Sequence, residues 1–181
     1  TPPGPVDGDH PVLWSYDIGT GGIDDIIPAV DNNDNVYFSM VGESFTEVIA
    51  IGLDSDGNEL WKKVFEGTST GKVMYADGKV IVSTGYPTAI YCLNASSGST
   101  EWSKNLTEEY DFQDNPSMAF ANNKIYLLSY QFLYGFIVTY DLGGTELVVQ
   151  EAKQGFNLSM YDNAIFYHDL DSLYSYEDTG S

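Results

Sequence analysis

Arginine is absent from this sequence. All seven basic residues are lysines, against 27 acidic ones, for a formal net charge of −20. Such a surface repels a phosphate backbone, and the guanidinium fork that grips phosphates and reads guanine is missing, so nucleic acid is excluded as a partner. Cysteine is nearly as scarce: Cys92 stands alone, which rules out an intrachain disulfide, and its apolar setting marks it as a small buried hydrophobe. Of the two histidines, His10 lies in a Pro/Gly/Asp-rich stretch and His168 ends a strand pattern, so neither a histidine metal site nor a nucleophilic triad is supported. No apolar run approaches the roughly 20 residues that a membrane helix needs, so no membrane insertion is expected. Thr1 opens no signal-peptide pattern, and an exported protein would therefore be in its mature form. No segment has a 3.6-residue apolar period, which leaves helices negligible.

What remains is turns and β-branched or aromatic runs. Val48 to Leu53, the turn cluster Asp54 to Asn58, and Glu59 to Phe65 read as a β-hairpin with Trp61 early in its outgoing strand. Asp and Asn hydrogen-bond their own backbone there, and Gly57 can take positive φ without a Cβ clash. Ile27 to Val30, Asp31 to Asn35 and Val36 to Met40 form a hairpin before it, and this pair of hairpins recurs. Its second copy is Val73 to Ser83 followed by Ala89 to Leu106, with Trp102 in the tryptophan slot. The third is Pro116 to Ser129 followed by Gly135 to Glu151, where Val148 replaces tryptophan. A fourth, shorter copy runs from Asn157 to Gly180. Trp14, Trp61, Trp102 and Val148 fall roughly 40 to 50 residues apart, and four strands per such period is a propeller blade. The reading is an all-β propeller of about four four-stranded blades over residues 12–181, preceded by a tail at 1–11.

Val12 to Trp14 begin a strand with no hairpin partner, while the last copy stops where its tryptophan strand is due. The N-terminal strand is therefore expected to complete the last blade and protect its edge. A ring of four would be tight, with little central channel. The same cut fits a segment of a larger ring, or two copies joined into eight blades.

The segments LDSDGNELW, LNASSGSTEW and PAVDNNDNVYF resemble the repeat of pyrroloquinoline-quinone-like propellers, over nearly everything from Val12 to Ser181. The resemblance implies that Trp14, Trp61 and Trp102 dock between blades, and Val148 departs from that pattern. It includes quinone-dependent dehydrogenases, the outer-membrane-assembly lipoprotein, and surface proteins. The dehydrogenases resemble eight-bladed rings with an axial calcium, an Asp base and an adjacent-cysteine disulfide. One Cys and four blades' worth of sequence do not supply those parts.

Asp54, Asp56 and Asn58 alternate oxygen ligands as calcium loops do, but Trp61 and Lys62 break the loop, so calcium is a candidate against plain turn chemistry; Asp31 to Asn35 is weighed the same way. No other cofactor is implied. Asn94, Asn105 and Asn157 are sequons for N-glycosylation. The loops Val41 to Thr46, Tyr86 to Thr88 and Tyr130 to Tyr134 carry Tyr and Phe that could stack on sugars or bury in a partner. The functional expectation is a non-enzymatic scaffold or binding module, extracellular or on the cell surface, for protein or glycan contacts, with homo-oligomers or larger assemblies open to it. The alternatives are a fragment or subunit of a quinone-dependent dehydrogenase and an envelope-assembly scaffold.

Overall fold

The computed structural model of the chain describes residues 12–19, 27–68, 71–112, 115–131 and 134–178. Its strands form four antiparallel sheets, each an up-and-down meander in chain order. The first blade holds β1 (Ala29–Val30), β2 (Val36–Val41), β3 (Glu47–Leu53) and β4 (Glu59–Glu66). The second holds β5 (Val73–Ala76), β6 (Lys79–Thr84), β7 (Ala89–Asn94) and β8 (Thr100–Asn105). One helical turn, α1 (Leu106–Tyr110), leads to the third blade, made of β9 (Ser117–Ala121), β10 (Lys124–Gln131), β11 (Tyr134–Asp141) and β12 (Glu146–Ala152). The fourth has three strands, β13 (Phe156–Tyr161), β14 (Ala164–His168) and β15 (Leu173–Glu177).

Both faces of the middle strands are buried, which is why they read as unbroken apolar runs rather than as alternation. Along β6, Val80 and Val82 pack with Tyr37, Val48 and Ala50 of the first blade. Ile81, between them, points the other way and packs with Ile125, Leu127 and Val138 of the third. Successive side chains on a strand face opposite sides, so one strand serves two interfaces. The third interface joins Tyr126, Leu128 and Ile137 to Leu158, Ile165 and Tyr167 of the fourth blade. Each fully buried Ile or Leu in these layers contributes about 1.5–3 kcal/mol. The four-stranded blades also share a register shift at one place: Gly52/Leu53, Cys92/Leu93 and Thr139/Tyr140, where the third strand enters its turn.

Two details differ from the sequence expectation. Leu106, read as the end of a strand, opens α1: Asn105, the last residue of β8, caps it with a side chain that accepts from Glu108 N, while Asp111 closes the turn in a left-handed conformation. A single turn this short leaves no apolar period to read. Residues 12–18 join no ladder in the described structure. Instead Trp14, Tyr16 and Ile18, at alternate positions, pack on Phe38, Met40, Ile51 and Leu53 of the first blade. The segment thus reaches the docking place expected of it, held by side-chain burial, without the backbone pairing to β15.

Candidate binding rim and central cavity

The tryptophans mark how one blade is fixed to the next. Trp61, in β4, lies over Gly98 of the second blade, whose φ is +65° and where an added Cβ would sit 2.7 Å from the indole. Its Nε1 donates to Ala95 O at 2.7 Å. Trp102 repeats this on Gly144 and Leu142 O, at 3.0 Å. Trp14 lies over Gly57, and Tyr16 beside it donates to Glu59 Oε2 at 2.5 Å. At the third junction the half-buried Val148 stands opposite Thr139, and part of the turn it would meet lies outside the described residues. There Lys124 and Tyr126 reach Asp178 instead, at 3.1 and 2.6 Å.

The meander puts the turns inside each blade at two opposite rims. At one rim the third-to-fourth strand turns of the first three blades, and the first-to-second turn of the first blade, are closed by Asp or Asn side chains. Asp54 Oδ1 accepts from Asp56 N and Asn58 N, and both its oxygens accept from Asn58 Nδ2. These bonds, the Asn58 amide first, hold its carboxyl below the usual value. The Asp56 and Asn58 backbone and the Asn58 amide thus make Asp54 a turn closure, and among the described residues no three acidic, His or Cys side chains gather as a metal set. Asp31 does the same with Asn33 N, Asn35 N and Asn35 Nδ2, and also accepts from Tyr37 Oη at 2.9 Å. Burial pushes the Asp31 carboxyl up, and those donors outweigh it, so that it too lies low. Asn94 Oδ1 accepts from Ser96 N and Ser97 N, which spends half of this sequon's amide on its turn.

The other rim, formed by the second-to-third strand loops, carries a large exposed side chain in each blade, and in the fourth Asp169 closes the loop by accepting from Asp171 N and Ser172 N. Phe45, Tyr86 and Tyr134 sit in equivalent loops of the first three blades and are 60, 58 and 58% exposed; Leu170 holds the matching place in the fourth, at 91%. Hydrogen bonds close the first two of these loops. Phe45 has a φ of +56°, costly for a residue with a Cβ, and is held by Phe45 N to Gly42 O and Gly42 N to Glu47 O. Beneath Tyr86, Thr84 Oγ1 donates to Pro87 O, and Thr88 N donates to Thr107 Oγ1 at the start of α1. Of the loop Tyr130 to Tyr134, residues 132 and 133 lie outside the described residues.

The rim surrounds a cavity of ≈ 560 Å³ between the inner strands, touched by Ile27, Val73, Met118 and Leu158 from four successive blades. Its polar part is Lys72, whose Nζ donates to Ser117 Oγ at 3.1 Å, with Asn157 N donating to the same oxygen. Asn157 Nδ2 stands 3.2 Å from His168 Nε2, so this sequon faces the cavity wall. Sequence reasoning found the aromatic loops and missed the cavity, since Lys72, Ser117 and Asn157 are separated by some forty residues each and converge only through the ring.

Stacked four-stranded meanders with tryptophan docking on glycine turns define a β-propeller that offers a rim and an axial cavity, the architecture of a scaffold or binding module. The family described as outer membrane protein assembly factor BamB, a pyrroloquinoline-quinone-type repeat, matches residues 8–161, and the chain belongs to it. No curated protein matches the chain. Among solved structures, the computationally designed Ika4 protein superposes with a TM-score of 0.65 at 16% identity, covering 87% of this chain and 93% of Ika4. The Dos1 propeller gives 0.62 at 12% identity, covering 86% of this chain and 45% of its own length. The CNH domain of AfRom2 gives 0.55 at 8%, covering 90 and 53%. The chain thus spans about half the length of the latter two. Among the described residues no helix is long and apolar enough to cross a membrane.

Proposed function

We propose that the chain is a non-catalytic protein-binding module of a cell-surface or envelope assembly, and that its working surface is the rim carrying Phe45, Tyr86, Tyr134 and Leu170. One observation carries this reading: the asymmetry of the rims. The opposite rim closes several turns with its own Asp and Asn side chains and exposes Val30, Leu60 and Tyr161 beside them, whereas this rim places one exposed Phe, Tyr or Leu at the second-to-third connection of every blade. Exposed aromatics on a preordered frame are what a partner buries at the centre of an interface. The family's description as an assembly factor is consistent with a protein partner. The acidic surface, −20 overall, and the sequon at Asn94 support a location outside the cytoplasm.

The test is site-specific photo-cross-linking in the source cells. A photo-activatable phenylalanine analogue is placed at Phe45, Tyr86 or Tyr134, and for comparison at Asn33, Ser55 or Asn123 on the other rim. The reading expects one cross-linked protein shared by the first three positions and absent from the others. Equal labelling from both rims, or none from the first, overturns it.

A further inference from the structure

Among the described residues the four blades are joined by three junctions, and no strand-to-strand junction closes the ring. β13 runs beside β9, and β5 beside both β1 and β9, but among the described residues no strand of the fourth blade lies beside a strand of the first in the same way. The forward face of the fourth blade is correspondingly bare. Phe166 holds the place that Tyr37, Ile81 and Tyr126 occupy, fully buried, in the other blades, yet it is only half-buried. On the same face Leu173 is 74% and Tyr161 80% exposed, and among the described residues β15 pairs with β14 alone. The rear face of the first blade is sealed, by residues 12–18 rather than by the fourth blade. The chain superposes on nearly all of the Ika4 protein with a TM-score of 0.65 and on about half of two longer chains with 0.62 and 0.55.

We infer that two copies of this chain close one eight-bladed ring, each giving residues 12–18 to the open edge of the other's β15. The occupant is argued from the fit of the two ends. The second blade pairs Cys92 with Trp102 and Ile90 with Lys104. In that register the partner's Trp14 stands opposite Ser175 and the partner's Tyr16 opposite Leu173, covering the exposed leucine. The segment already has the alternation such a strand needs, with Trp14, Tyr16 and Ile18 on the first blade and Leu13, Ser15 and Asp17 exposed to the other side. Two identical junctions related by a two-fold axis close the assembly and leave no edge strand.

The test is the mass of the 181-residue chain by light scattering, with and without Leu173→Lys, and a cysteine pair at Asp17→Cys and Ser172→Cys, opposite each other in the same register. A mass of twice 20.0 kDa is expected, with dissociation made about tenfold easier by the lysine. Raising salt should strengthen the dimer, because each copy carries −20. The cysteine pair should form disulfides between copies, seen as a doubled band without reductant; Cys92 is buried and does not interfere. Leu173 is exposed in one chain, so the lysine variant keeps its fold and its unfolding midpoint. A concentration-independent mass of one chain, a disulfide within one chain, or an assembly of three or more overturns the inference.

Discussion

The indole nitrogen of Trp61 donates to the carbonyl oxygen of Ala95 across the junction of the first two blades, 2.7 Å apart. The same ring lies flat against the open Cα of Gly98 and stacks on Tyr37 at 5.9 Å. Blade geometry therefore rests on one side chain meeting one glycine. Trp61→Phe should cost about 0.5–1.5 kcal/mol for the lost hydrogen bond, and Trp61→Ala about 3–5 kcal/mol. Gly98→Ala should also destabilise strongly, since its Cβ would fall 2.7 Å from the ring at a φ of +65°. Urea unfolding of the three variants checks the order; a Gly98→Ala midpoint equal to wild type would show that the junction is looser than this.

The third junction lacks tryptophan and adds an ion pair to its apolar layer. Lys124 and Asp178 are 3.1 Å apart with side chains only 16 and 11% exposed, and Tyr126 Oη donates to the same carboxylate at 2.6 Å. Asp178→Ala leaves a half-buried ammonium and a buried phenol without that acceptor, and should cost about 1–3 kcal/mol. The loss should be local. Limited proteolysis is expected to cut the variant first between β12 and β15, leaving the first two blades intact.

Most of the fold was legible because the turns are chemical. Asp or Asn with a nearby Gly closes a hairpin at 54–58, 94–98 and 141–144 through the side chain itself, so those letters read directly as blades. The tryptophan slots were legible for the same reason: each faces a glycine that no other residue could replace. What was not legible depends on contacts between distant residues. Asn105 fits both a strand end and a sequon, and only the Glu108 N–H shows it to be a helix cap. In the Asp54, Asp56 and Asn58 pattern the Asn58 amide donates to Asp54, a contact that the letters alone do not show. Trp14 is recognisable as a docking residue, yet whether its strand pairs with β15 of the same chain depends on blade angle, which no local pattern encodes.

Titration should unfold the protein from both sides. Asp31, Asp54 and Asp141 have carboxyls held below the ordinary 3.8 by hydrogen bonds. A group with a lowered folded value stabilises above its unfolded value and loses that contribution as pH falls through the folded one. Acid destabilisation of the turns should therefore begin below about pH 3.8. Between neutrality and the sequence pI of 4.1, falling pH relieves charge repulsion and should raise stability. The alkaline limb belongs to tyrosine. Tyr16, through its bond to Glu59, and Tyr110, through burial and then Glu146, are pushed up to about 12, and burial raises Tyr126 and Tyr140 as well. These raised groups stabilise fully below their unfolded value of 10 and lose that contribution as pH climbs through the folded values. Thermal midpoints across pH, followed with phenolate absorbance, should peak at mildly acid pH and fall above about pH 10. A flat profile above pH 10 would contradict the Tyr16–Glu59 and Tyr126–Asp178 bonds.

Phe45 separates stability from binding. Its φ of +56° is a conformation that glycine adopts freely and phenylalanine does not, and with 60% of its surface exposed the side chain returns little burial for that strain. Strain retained at an exposed aromatic is the pattern of a functional position. Phe45→Gly should therefore stabilise the isolated chain by about 1 kcal/mol, read as a higher unfolding midpoint in urea. The same change removes the largest apolar side chain from the first blade's loop, and should weaken capture of the partner identified by cross-linking at Tyr86 by about tenfold or more. Phe45→Asn makes the control: it tolerates the backbone, so it should share the gain in stability and the loss of binding. A Phe45→Gly chain that is both less stable and fully able to bind would place Phe45 in the framework of the loop and move the binding surface elsewhere on the ring.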